Sequence, residues 1–184
     1  RQMCIRDRCN LFPSGKCSGY FGTKRFDRKN QHGEMERVHM LTVAALLELD
    51  FEQPVLDYQD LMKLTKIITN NSPEDLENMY RRMCFNVYAH NRDDHAKNFS
   101  FLYEEEKKCW RLSPAYDLTY STTYYGEHTT TVAGNGKNPG SKELIFVGTQ
   151  VGLSKEKCRS IAVEIKNCVS CLLYTSDAAD DSLR

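Results

Sequence analysis

The 184-residue chain lacks a charge of either sign: 25 basic residues stand against 25 acidic ones. No global basic field therefore draws it toward nucleic acid. It also lacks any apolar run near the roughly 18 residues a membrane span requires, so no segment reads as membrane-crossing. Gly15-Lys16 is not accompanied by the rest of a Gly-x4-Gly-Lys-Ser/Thr phosphate loop and reads as a turn. Eight cysteines would suit a small secreted scaffold, yet within residues 9–170 they form no CxxC pair and no metal-ligand spacing. Scattered in this way they read as reduced thiols of a cytoplasmic protein. No internal repeat is visible, and the length suits one domain.

The two ends lack any relation to the pattern between them. Arg1 to Arg8 is what CGT-CAG-ATG-TGT-ATA-AGA-GAC-AG would encode, and the reverse complement of that DNA encodes the run from Cys171 to Asp177, which Ala178 follows in that register. Two ends that translate one DNA and its complement resemble sequencing-adapter read-through around a gene fragment. Residues 1–8 and 171–184 are therefore expected to be non-native and are set aside from the fold, as a tag would be.

What is present starts near Cys9. Leu11 to Gly19 is turn-rich, and Tyr20 to Arg28 reads as a short strand entering a polar loop. From His39 to Leu49 the residues Met40, Leu41, Val43, Ala44, Leu46 and Leu47 predict a buried helix closed by Pro54. Leu61, Leu64, Ile67 and Ile68 put one apolar face on a second helix over Tyr58 to Ile68. A third has the fullest set of signals. Ser72 caps it, Pro73 opens it, Glu74 and Asp75 suit the positive end of its dipole, and Leu76, Met79, Tyr80, Met83 and Val87 repeat at helical spacing. Thr119 to Val132 has strand propensity, residues 133–140 form a loop, and a helix through Leu144, Ile145, Val147 and Val151 stops at Gly152. Ser154 caps a last helix carrying Ile161, Val163 and Ile165.

Between the third helix and a short hairpin lies the densest polar run of the chain, His90-Asn91-Arg92-Asp93-Asp94-His95-Ala96-Lys97-Asn98. The hairpin follows as Phe99 to Tyr103, a charged turn and Trp110 to Leu112, and Asp117 stands beyond it. Glu104 to Lys108 is a solvated turn with no assigned function. Phosphotransferases of the protein-kinase kind use such a layout: one carboxylate positions the attacking hydroxyl, an amide five residues on holds magnesium, and an Asp beyond a hairpin holds it too. Asp93, Asn98 and Asp117 fit those places. Asp93 is preferred over Asp94 because only Asp93 has Asn at the fifth place beyond it. Magnesium keeps several waters, so one carboxylate and one amide oxygen from the protein suffice, and Asp93 is left to accept the hydroxyl proton. His95 reads equally as a phosphate contact and as a structural histidine. His39 and His128 read as packing or surface residues.

The runs Asn91 to Ser100, Ser113-Pro114-Ala115-Tyr116-Asp117 and Lys24-Arg25-Phe26-Asp27-Arg28 resemble the HipA family, bacterial serine/threonine kinases that act as toxins in toxin–antitoxin modules. The resemblance implies an α+β, protein-kinase-like fold. Residues 39–170 would form its mostly helical C-terminal lobe, with a catalytic loop and short β-hairpins, and residues 9–38 a remnant of the nucleotide lobe. It implies Asp93 as catalytic base with His95 beside it, Asn98 and Asp117 as magnesium ligands, and Lys24, Arg25 and Phe26 as a hinge strand whose backbone meets the adenine of ATP. Arg25 and Arg28 read equally as solvated and as nucleotide-contacting. It further implies a protein substrate, notably an aminoacyl-tRNA synthetase, and a DNA-binding antitoxin as partner, with no direct nucleic-acid contact and no membrane. The family's glycine-rich loop and phosphate-gripping Lys are not in this chain, so a fragment inactive alone is expected. Two other classes stay open, a kinase-fold enzyme acting on a lipid or small molecule and a partner-binding lobe without chemistry. A substrate assay separates the first, and the intact Asp93, Asn98 and Asp117 argue against the second.

Overall fold

The computed structural model of the chain describes residues 9–17, 19–31, 33–49, 56–122 and 126–181. The leader expected over residues 1–8 lies outside them, as do Pro54 and residues 182–184. The expected tail falls partly on the last helix, whose backbone continues to Asp181.

Four helices make the body. These are α2 (Tyr58–Ile68), α3 (Pro73–Tyr88), α4 (Ser141–Gln150) and α5 (Lys155–Asp181). The third helix of the sequence reading forms as its local signals require: the Ser72 hydroxyl accepts from Asp75 N, and Pro73 takes the first turn. Its apolar stripe, Met79, Tyr80, Met83 and Val87, is buried against α2 and α5. Gly148 lets α4 come close at this point: a Cβ there would sit 2.5 Å from Cys158 Sγ and 2.7 Å from Tyr80 Cε2. Gly152, at φ +100°, follows α4, and Ser154 Oγ caps α5 by accepting from Lys157 N.

Asp57 begins α2 and also ties a distant loop to it. Its carboxylate accepts from Gln59 N at 2.7 Å, Thr131 Oγ1 at 2.6 Å, Gly134 N at 2.8 Å and Ala133 N at 3.3 Å. Burial pushes this carboxyl up, but the four donors outweigh it and hold it below the ordinary carboxylate range.

On one side of the helices lies an antiparallel sheet of β5 (Met40–Thr42), β6 (Ser100–Glu104) and β7 (Cys109–Leu112), in the order β5-β6-β7. The expected helix over His39 to Leu49 is thus replaced at its start by a strand. Met40 pairs with Leu102 and Thr42 with Ser100, and only α1 (Val43–Leu46), capped by Thr42, remains helical. Tertiary pairing overrides propensity here. The hairpin β6–β7 and its solvated turn, closed by a Lys107–Glu104 ion pair of 2.8 Å, are as expected.

The N-terminal part is two separate antiparallel ribbons. β1 (Cys9–Phe12) pairs with β2 (Tyr20–Thr23), so Leu11 and Phe12 belong to a strand rather than to the expected turn. β3 (Arg28–Gln31) pairs with β4 (Glu34–Arg37) across a bend in which Gly33 has φ +90°. This second ribbon carries no hydrophobic alternation, which is why the sequence gives no strand signal there. Lys24 to Phe26, expected as a strand, is the connection between β2 and β3. In Thr119 to Val132 the strand propensity is realised only as isolated bridges, Asn91 with Ser121, Asp57 with Thr131 and Val132 with Asn135. No described helix is long and apolar enough to cross a membrane.

Candidate functional site

The polar loop hangs from the end of α3. His90, at φ +51°, closes the helix by a Schellman turn in which Asn91 N donates to Asn86 O at 2.9 Å and His90 N to Val87 O at 3.4 Å. The loop then turns inward at Asp94, which is fully buried. Asp94 Oδ2 accepts from Tyr58 OH at 2.9 Å and lies 3.1 Å from His128 Nδ1, while Oδ1 accepts from Thr130 N at 3.1 Å. The Thr130 hydroxyl donates to the Asp94 carbonyl. Asn86 Nδ2 donates to Tyr58 OH at 2.8 Å, and Asn91 Nδ2 to Asn86 Oδ1 at 3.0 Å. Burial, then the Asp94 charge, push the Tyr58 phenol far up, so it remains a neutral donor. One buried carboxylate thereby gathers α2, α3, the polar loop and the 128–130 segment.

With Asp94 held inside, Asp93 faces out, its side chain 53% exposed and its Oδ1 3.7 Å from His95 Nε2. A 3-10 turn over Ala96–Asn98 brings Asn98 back, and Asn98 Nδ2 donates to the Asp93 carbonyl at 2.9 Å. That bond fixes the amide so that Nδ2 faces Asp93 and Oδ1 faces away. Asp93, His95 and Asn98 are thus brought together.

Asp117 is set by the other end of α3. Buried Asp75 accepts from Leu112 N at 3.3 Å and from Arg111 Nε at 2.6 Å, and buried Arg82 donates to the Ser113 carbonyl. Ser100 Oγ donates to Ser113 Oγ at 2.9 Å, which locks the chain beyond β7 to β6. Tyr116 OH then donates to the Lys97 carbonyl at 2.6 Å, tying the residue before Asp117 to the residue before Asn98. Asp117 itself is exposed, at φ +55°. Both oxygen donors that would hold a magnesium ion, Asn98 Oδ1 and the Asp117 carboxylate, suit that metal's preference for hard ligands.

The residues expected to form a hinge divide. Phe26 stacks at a tilt on Tyr116, ring centres 5.6 Å apart, and so joins the site through the residue next to Asp117. Lys24 is exposed, and the Arg25 guanidinium is forked onto Asp27 at 2.7 and 2.5 Å, with Arg28 also 3.2 Å from Asp27. Two clefts of about 240 and 280 Å³ open beneath the β3–β4 ribbon, sharing Lys29, Val38, Tyr103, Glu104 and Lys107. Phe26 lines the larger, while Asp93, Asn98 and Asp117 line neither.

Sequence reasoning missed the residues that hold the site in place: Asp94, His128, Thr130, Tyr58 and Asn86 in one cluster, Asp75, Arg82 and Arg111 in the other. One signal was available. Asn86 falls one residue before Val87 in the buried stripe of α3, and a polar residue in a core position needs a buried partner.

The family model described as HipA-like C-terminal domain matches residues 6–172. No curated protein matches the chain. Among solved structures 24 chains match. One of them is HipA of Shewanella oneidensis MR-1, from a toxin–antitoxin complex with HipB and operator DNA, at 18% identity and a TM-score of 0.72. The match covers 89% of this chain and 43% of that one, so the chain spans less than half the length of the relative whose fold it shares.

Proposed function

The chain belongs to the family of HipA-like C-terminal domains, and from that premise we propose that it is the catalytic lobe of an ATP- and magnesium-dependent kinase for Ser/Thr of a cytosolic protein. The observation that carries the reading is the division between two adjacent acids. Asp94 is wholly engaged inside the fold, while Asp93 is presented outward over the Asn98 amide and beside His95. In this reading Asp93 accepts the proton of the attacking hydroxyl. Asn98 Oδ1 and the Asp117 carboxylate hold magnesium, which neutralises charge on the phosphates. His95 contributes a phosphate contact, and Phe26 with the backbone of Lys24 and Arg25 meets the nucleotide base. The Arg25 side chain takes no part, because Asp27 engages it.

A DNA-binding antitoxin as partner is carried over from the family, and the assembly of the solved relative with HipB and operator DNA supports it. A translation protein such as an aminoacyl-tRNA synthetase is the substrate class the family suggests. The test is phosphate transfer from labelled ATP to a Ser/Thr protein substrate. It is run on the chain alone, on a chain restored upstream with a glycine-rich loop and phosphate-gripping Lys, and on Asp93→Asn in the restored chain. Little transfer is expected from the chain alone and clear transfer from the restored one. Asp93→Asn should lower turnover by roughly 10²-fold or more. Undiminished turnover in that variant would remove Asp93 from the role of base.

A further inference from the structure

Asn98 and Asp117, the two residues proposed to hold magnesium, reach their places by unequal means. Asn98 is fixed within its own loop, where its N donates to His95 O and its Nδ2 to Asp93 O, both at 2.9 Å. Asp117 lacks such support. Among the described residues, none from Pro114 to Tyr120 forms a backbone–backbone hydrogen bond, and no strand or helix includes them. The bonds that bracket this stretch lie outside it, from Ser113 N to Ser100 O at 3.0 Å and from Ser121 N to His90 O at 3.1 Å. Asp117 moreover stands at φ +55°, a conformation an L-residue adopts at a cost and keeps only where its surroundings impose it. The main chain alone does not fix this carboxylate.

The side chain before it supplies the hold. Tyr116 is half-buried, and its hydroxyl donates to the Lys97 carbonyl at 2.6 Å, across 19 residues of sequence. Lys97 is the middle residue of the 3-10 turn Ala96–Asn98, which closes from Asn98 N onto His95 O. The Lys97 carbonyl therefore accepts from outside the turn. The bond begins one residue from the Asp117 carboxylate and ends one residue from the Asn98 amide. The same tyrosine ring lies against Phe26, with 5.6 Å between centres. A tyrosine has two side-chain torsions, so a contact on its ring and a bond at its tip leave it little freedom.

We propose that Tyr116 is a positioning residue for the metal site: its hydroxyl bond to Lys97 sets the Asp117 carboxylate against the Asn98 amide before any ion arrives. This role rests on the magnesium-holding function proposed above for Asn98 and Asp117. It gives Tyr116 no contact with the ion. A carboxylate left to wander must be ordered when the ion binds, and the ordering is subtracted from the affinity. Groups that orient metal ligands from behind account for about 10- to 100-fold in metal affinity. Tyr116→Phe removes the oxygen and keeps the ring beside Phe26, so its effect belongs at the lower end.

The test is the binding of manganese(II), a paramagnetic stand-in for magnesium, to the unsubstituted chain and its variants. Electron paramagnetic resonance reads it without nucleotide or turnover. Tyr116→Phe should raise the Kd about tenfold and broaden the spectrum of the bound ion. Tyr116→Leu, which also gives up the contact with Phe26, should weaken binding at least as much. Thr69→Val is the control, because it removes another hydroxyl-to-carbonyl bond, of 2.7 Å, at the far end of α2. It should loosen the fold yet leave the Kd within about twofold. Asp117→Asn, which removes a ligand charge, should weaken binding more than any of these. An unchanged Kd in Tyr116→Phe, with Asp117→Asn still weakening it, overturns the positioning role and leaves the ligands standing. An equal loss in Thr69→Val overturns it too, since the effect is then a general loosening. A Kd indifferent to Asp117→Asn overturns the reading of the metal site and the role of Tyr116 with it. Circular dichroism shows which Tyr116 variant is folded, and either one decides.

Discussion

The helical body and the N-terminal ribbons are built on opposite principles. Among the described residues, every member of the buried core falls between Val43 and Val169, and neither ribbon supplies one. β4 is exposed along its whole length, and Phe12, Tyr20 and Met35 present more than half of their surface to solvent. A two-stranded ribbon without an apolar face is marginal by itself. The ribbons are held by backbone pairing, by the Arg25–Asp27–Arg28 ion cluster and by the contact of Phe26 with Tyr116. The body thus carries its own stability, and the candidate base and both candidate metal ligands belong to it. The candidate hinge connects the two ribbons and meets the site through the contact of Phe26 with Tyr116.

The sharpest way to break this comparison is at the centre of the body. Asp94→Ala strips the acceptor from Tyr58 OH, His128 and Thr130 N, and about 3–5 kcal/mol of stability should be lost in denaturant unfolding. A loss below about 1 kcal/mol would mean that the buried cluster is not what holds the loop.

Asp57 gives a smaller, pH-dependent effect. Its folded pKa is lowered, so its contribution is fully present above the unfolded value of about 3.9 and is lost as pH falls through the folded one. Asp57→Asn should therefore be less stable than the unsubstituted chain at pH 6, and the gap should narrow as the solution is acidified below about pH 4. A gap that stayed constant with pH would detach the carboxylate charge from the capping role.

The smallest effect belongs to the ribbons. Phe12→Ser and Tyr20→Ser should each change the unfolding free energy of the body by no more than about 0.5 kcal/mol. A larger loss would show that the ribbon is part of the cooperative unit.

Legibility in the sequence follows the same division. α3 was readable because its cap, its proline, its acidic first turn and its apolar stripe all lie within one stretch. The β6–β7 hairpin was readable for the same reason. β5 was not, because Met40 to Thr42 become a strand only by pairing with Ser100 to Leu102, far along the chain. The β3–β4 ribbon has no buried face to impose a period. In the site, spacing alone separated Asp93 from Asp94, and the structure buries Asp94. What the spacing did not reveal is the destination of Asp94, since its partners Tyr58, His128 and Thr130 come from segments whose meeting is a property of the whole fold.

One backbone angle sets two demands against each other. At φ +55°, Asp117 occupies a conformation that glycine adopts freely and that costs an L-residue about 1–2 kcal/mol, somewhat less for Asp than for most. Folding alone would favour glycine there, and the magnesium-holding role proposed for Asp117 requires a carboxylate. Stability and the proposed activity are therefore antagonistic at this position. Asp117→Gly should unfold at a higher temperature than the parent while its magnesium affinity falls, whereas Asp117→Ala should lose on both counts. Selection for a sturdier protein would erode the chain first at the residue the proposed chemistry needs.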